Sequence, residues 1–178
     1  ARQRTRRGRR GGGKGGEGGG GGGGGGRGGG SGGAAVIDDY AHNPEKLAAA
    51  WTTLADTFPG GVCAVWRPHG FAPLRKMLGG LAEMFPRVCR PQDTLLLLPV
   101  YDAGGTADRS VTSADLASQL AAKNVNVCLV GSLEEAEARM RKAAAGGAGA
   151  LVTFGARDPG LPRLARRLTE TEGETARR

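Results

Sequence analysis

Asp38, Asp39, Tyr40, His42 and Asn43 fall within six consecutive residues, inside VIDDYAHNPEKL at 36–47. Two carboxylates, a phenol, an imidazole and an amide can hold a ligand, ligate a metal or move a proton. A turn that only starts a helix needs far less, since Asn43 alone supplies an N-cap and Pro44 alone suits the first helical position. Three more stretches are dense in functional groups: RPHGF at 67–71, YDAGGTADR at 101–109 and GARDPG at 155–160. Both histidines of the chain, His42 and His69, lie in this set.

Several chemistries fit poorly. Asp38, Asp39, His42 and His69 suffice in number for a metal, but the H-x-H or H-x-x-x-H spacing that sets two imidazoles on one face is missing. No strand-like run is followed by G-x-G-x-x-G, and no G-x-S-x-G elbow occurs. GGGKGG at 11–16 has Gly15 where a phosphate loop needs Ser or Thr for magnesium. Cys63, Cys89 and Cys128 are odd in number, without C-x-x-C spacing and flanked by apolar residues, so they read as small core residues.

The elements that must position these groups alternate along the chain. Short apolar runs at 34–37, 62–66, 94–100, 125–130 and 150–154 predict strands. Helices are expected at 44–58, at 73–85 with an interruption at Gly79-Gly80, and at 113–123, 132–145 and 161–168. Strands apolar almost throughout, separated by helices, imply an α/β fold: a doubly wound, mostly parallel sheet of about five strands covered on both faces. Such sheets bind ligands outside the carboxyl ends of their strands. The functional stretches follow the first, second, third and fifth strands, which predicts that His42 and His69 converge on one edge.

The chain is not uniform in composition. Residues 1–33 hold 20 of the 34 glycines and eight basic residues against Glu17, which leaves 17 basic against 16 acidic residues in the other 145. The net charge of +8 therefore belongs almost wholly to this segment. Lacking apolar residues beyond Ala1, it is expected to be disordered, as is 171–178, with the folded domain at 34–170. Arg/Gly-rich segments bind RNA through charge and stacking, but this one has no Phe or Tyr, so nucleic acid is not the expected partner. No apolar run approaches 18 residues, so no membrane span and a cytoplasmic location are expected.

VIDDYAHNPEKLAAAWTTL at 36–54, VWRPHGFAPLRKM at 65–77, LLLLPVYDAGGTADRSVTSADLASQL at 95–120 and LVTFGARDPGLPRLA at 151–165 occur in this order. Together they resemble the C-terminal domain of Mur ligases, nearest to the UDP-N-acetylmuramate alanine ligases and muropeptide ligases. The resemblance covers about 34–168. It implies a three-domain, ATP- and Mg²⁺-dependent enzyme of peptidoglycan precursor synthesis. Such an enzyme phosphorylates the carboxylate of a UDP-N-acetylmuramate substrate, and the amine of an amino acid then attacks the acyl phosphate to form an amide.

The same resemblance implies residue roles. Asp39, Tyr40, His42 and Asn43 correspond to nucleotide contacts. His69, Gly104, Gly105, Arg157 and Asp158 correspond to the amino-acid side of the cleft. Alanine ligases commonly carry Arg directly after the "PH" histidine and again three residues later, where this chain has Gly70 and Pro73; Arg75 is the nearest basic replacement. The central ATPase domain, with its phosphate loop and Mg²⁺ ligands, does not match any part of this chain. The chain alone is therefore expected to hold no complete catalytic set and to need that domain in cis or in trans. The alternative reading is a non-catalytic binding module whose Arg/Gly segment recruits RNA.

Overall fold

The computed structural model describes residues 33–175 apart from 103, 105 and 107, with side chains through 170. Residues 1–32, which carry most of the net positive charge, lie outside the described residues, as does Gly105. Five strands alternate with five helices: β1 (Ala35–Asp39), α1 (Pro44–Thr57), β2 (Val62–Trp66), α2 (Phe71–Val88), β3 (Thr94–Leu97), α3 (Ser113–Ala121), β4 (Val127–Leu129), α4 (Leu133–Ala145), β5 (Ala150–Phe154) and α5 (Gly160–Thr175). All strand pairs are parallel, in the order β1-β5-β2-β3-β4.

The period of two along the strands separates two cores. Val62, Ala64, Trp66, Leu95, Leu97, Val152 and Phe154 face α1, α2 and α3, where Trp51 stacks on Phe154 with ring centroids 6.0 Å apart. Cys63, Val65, Leu96 and Leu151 face α4 and α5. Cys63 is buried, and burial together with Cys128 pushes its thiol up to about 12, so it stays protonated and unreactive. Cys89 and Cys128 are half-buried, and all three cysteines are free.

Boundaries depart from expectation where a local group competes. β1 continues past Ile37 because Asp38 and Asp39 remain in register with Thr153 and Phe154. β3 stops at Leu97 because Pro99 has no N–H to continue a ladder, although Leu98 and Tyr101 still donate to the carbonyls of Trp66 and Pro68. β4 starts late because the Val125 N–H closes the end of α3 on the Leu120 carbonyl, through Asn124 at φ 61°.

α2 is continuous, and Gly79-Gly80 does not interrupt it. A Cβ on Gly80 would make ordinary contact with Cγ of Pro44 at 3.4 Å, and one on Gly79 would meet nothing within 4 Å. Pro86 sits inside the last turns of the same helix and cannot donate to the Ala82 carbonyl. Lys123 Nζ occupies that acceptor at 3.0 Å and also pairs with Glu83 at 2.6 Å. At the opposite end of the sheet from the candidate loops, buried Asp93 accepts hydrogen bonds from Trp51 Nε1 at 3.0 Å, from the Val62 N–H at 2.9 Å and from Arg90.

Candidate functional site

The two acids after β1 separate in role. Asp38 accepts from the hydroxyl of buried Thr153 on β5 and so ties the two strands together. Asp39 turns into the loop, where its Oδ1 accepts the Ala41 N–H at 2.7 Å. Asn43 caps α1, its Oδ1 accepting the Lys46 N–H at 2.9 Å. Tyr40 stands 63 % exposed, an unusual posture for a large ring beside a core.

The rings of His42 and His69 meet edge to face with centroids 5.3 Å apart, as the strand-end rule leads one to expect. The Tyr40 ring lies 5.4 Å from that of His42, and His42 Nδ1 is 3.0 Å from the Tyr40 carbonyl. The geometry follows from strand order: β5 lies between β1 and β2, and the loops after β1 and β2 lean together over it. Nδ1 of His69 is buried and has no hydrogen-bond partner. Burial, then the charges of His42 and Arg157, push the His69 pKa below the ordinary imidazole value, so the ring is neutral at pH 7 and able to accept a proton or a hydrogen bond.

Arg157 is thus close enough to act on His69. Its neighbour Asp158 is engaged elsewhere: its Oδ2 pairs with Arg67 Nη1 at 2.6 Å, and its Oδ1 accepts the Gly160 N–H at the start of α5. Arg67 is the residue that sequence reasoning missed. It sits between the strand residue Trp66 and Pro68-His69, and the signal for it was an arginine at one strand end facing a lone aspartate at another.

Arg75 lies on α2. Its guanidinium is taken by Asp108 at 2.6 Å and by the Ser110 hydroxyl at 3.2 Å. Gly70 is the N-cap of α2 at φ 114°, a backbone conformation that an arginine would adopt only with strain, which gives a physical reason for glycine after His69. Gly104 also has positive φ, at 87°, and its N–H donates to Asp102 Oδ1 at 2.9 Å. Among the described residues no group of three or more His, Cys, Asp or Glu side chains could hold a metal ion. No helix among them is long and apolar enough to cross a membrane.

Residues 27–157 match the family model described as Mur ligase, glutamate ligase domain. The chain is 35% identical over 103 residues to a UDP-N-acetylmuramate–L-alanine ligase of Sulfurihydrogenibium sp. (strain YO3AOP1), covering 57% of this chain and 22% of that protein. It is 34% identical over 89 residues to the enzyme of that description from Sinorhizobium medicae (strain WSM419), covering 50% and 18%. The chain thus spans about a fifth of the length of these curated relatives. A solved domain described as part of a UDP-N-acetylmuramate:L-alanyl-gamma-D-glutamyl-diaminopimelate ligase from Haemophilus ducreyi 35000HP superposes with a TM-score of 0.50 at 16% identity, over 78% of this chain and 90% of that one, and so shares the fold.

Proposed function

Because the chain belongs to the Mur ligase family, in its glutamate ligase domain, we propose that the loops after β1, β2 and β5 are the nucleotide- and amino-acid-contacting face of an ATP-dependent ligase of peptidoglycan precursor synthesis, working in the cytoplasm. The observation that carries this reading is the convergence of His42 and His69 at 5.3 Å, flanked by exposed Tyr40. Residues 27 apart in sequence have no local reason to meet; a shared ligand edge supplies one.

In this reading Asp39, Tyr40, His42 and Asn43 face the nucleotide. The carboxylate of Asp39 suits ribose hydroxyls, and the exposed ring of Tyr40 offers a stacking surface. His69, kept neutral, accepts a hydrogen bond from the incoming amine, with Arg157 beside it; Gly104 and Gly105 are assigned to the same substrate. Arg75 and Asp158 shape the same side through their own partners, Asp108 and Arg67. ATP supplies the phosphoryl group that activates a UDP-N-acetylmuramate carboxylate, and Mg²⁺ is held by another domain. The contribution of this domain is positioning.

The test is a titration of the chain with ATP and Mg²⁺, followed by NMR of the imidazole and tyrosine ring protons. Millimolar, saturable binding that moves Tyr40 and His42, and that weakens at least fivefold in Tyr40→Ala, is expected. Ring signals unmoved at 10 mM nucleotide, on the order of the weakest affinities that matter here, would reject the nucleotide assignment.

A further inference from the structure

A second crevice opens where β3 and β4 diverge. α3, after β3, packs on one face of the sheet, and α4, after β4, packs on the other. This is the arrangement at which open α/β sheets hold ligands. The crevice has a volume of about 450 Å³ and is walled by Phe71, Leu97, Val100, Ala114, Leu129 and Val130. None of these residues belongs to the nucleotide or amino-acid reading above. Leu129 is 48 % exposed, and with Tyr40 it is one of two large exposed hydrophobic residues among those described.

The polarity of the crevice selects its occupant. Two helices begin at its rim, and a bare helix start attracts anions. Here both starts are already met by carboxylates of their own helices. The Thr112 N–H and hydroxyl donate to Asp115 Oδ2 at 2.7 and 2.8 Å, and the Gly131 N–H donates to Glu135 Oε2 at 2.8 Å. The remaining hydroxyl at the rim, Ser113 Oγ, donates to the Leu98 carbonyl at 2.6 Å. An anionic ligand would bring its charge beside the Asp115 and Glu135 carboxylates, whereas a neutral apolar body avoids that repulsion and covers Leu129 and its neighbours. The Phe71 ring gives one wall an aromatic surface, held in place by the Arg109 guanidinium 5.6 Å from its centroid. The volume falls within the range of small-molecule sites, roughly 300 to 1,000 Å³.

We propose that the β3–β4 crevice is a binding site for a neutral aromatic small molecule, separate from the edge formed by β1, β5 and β2. The probes are indole, and benzoate as an anionic ring of similar size, titrated into the full chain with methyl NMR of leucine and valine. Saturable shifts with indole, centred on Leu97, Val100, Leu129 and Val130, with benzoate at least tenfold weaker, are expected. Leu129→Lys should weaken indole at least tenfold; Ala114→Leu, which narrows the crevice from an exposed position, should do the same and serves if Leu129→Lys does not fold. Tyr40→Ala should leave indole binding unchanged, which separates this site from the nucleotide reading. Three results would each overturn the proposal: no shift up to the solubility of indole, shifts spread through both cores, or equal affinity for indole and benzoate.

Discussion

Arg67 and Asp158, 91 residues apart in sequence, meet through a 2.6 Å ion pair whose side chains are only 18 % and 7 % exposed. One stands at the end of β2 and the other at the start of α5, so the pair fixes the loop bearing His69 against the loop bearing Arg157. Those two loops supply most of the amino-acid side of the proposed cleft. A buried pair contributes little net stability compared with an apolar substitute, but its geometry is specific, and removing one partner strands the other.

Arg67→Ala should therefore destabilise the domain by about 3 kcal/mol, because the Asp158 carboxylate would remain buried without its counter-charge. The midpoint of urea unfolding would fall with the slope unchanged. A loss below about 1 kcal/mol would place the pair with ordinary surface ion pairs and remove its role in holding the loops.

His69 should titrate below the ordinary histidine value of about 6.5. Burial, His42 and Arg157 all act in that direction. Arg157→Ala removes one of the two charges and should raise the midpoint, as read from the imidazole Hε1 shift against pH. The sign for stability follows: as pH falls below about 6.5 the unfolded chain takes up this proton first, so the folded state loses stability on acidification through that window. A midpoint unmoved by Arg157→Ala would show that Arg157 turns away from the ring in solution.

Lys123 compensates for a proline in another helix. The Ala82 carbonyl would ordinarily accept from residue 86, and Pro86 cannot donate, so Lys123 Nζ takes its place. Lys123→Met should cost about 1 to 2 kcal/mol through the unsatisfied carbonyl. In a Pro86→Ala background, where the helix supplies its own N–H, the same substitution should cost clearly less. A double-mutant cycle of thermal or urea midpoints measures the difference. Equal costs in both backgrounds would assign the effect to the Glu83 pair instead.

Much of this architecture was legible in the sequence, and the reason differs by element. β2 and β5 were bounded correctly because Gly60-Gly61, Pro68, Gly149 and Gly155 punctuate apolar runs with no competing pattern. Gly79-Gly80 misled because propensity is local, whereas α2 is held by the tertiary packing of its buried residues Leu74, Leu81 and Phe85. The contacts that build the site depend on strand order, and hydrophobic period does not encode order. Nothing in the runs 34–37 and 150–154 says that β5 inserts between β1 and β2. Only that insertion brings Thr153 to Asp38 and lets the loops bearing Asp158 and Arg67 meet. The histidines were readable as partners because both follow strand ends; Arg67 was not, because an arginine at a strand end is ordinarily solvated.

Asp93 offers the sharpest stability test, because it anchors the sheet at the end away from the proposed site. It is 1 % exposed, and it joins Trp51 of α1, Val62 of β2 and Arg90 to the start of β3. Burial alone would raise its pKa; the hydrogen bonds from Arg90, Trp51 and Val62 outweigh burial and hold it below the ordinary carboxylate value. A carboxylate held low in the folded state contributes stability that is present above about pH 3.8 and lost as pH falls through the folded value. Asp93→Asn keeps the shape but turns an amide donor toward a set of donors, and should cost about 3 kcal/mol or more at pH 7. Its second signature is a flatter acid limb: between pH 5 and pH 2 the urea midpoint of the wild type should fall more steeply than that of the variant. Parallel curves would mean that other carboxylates govern acid unfolding and that Asp93 is protonated together with its neighbours.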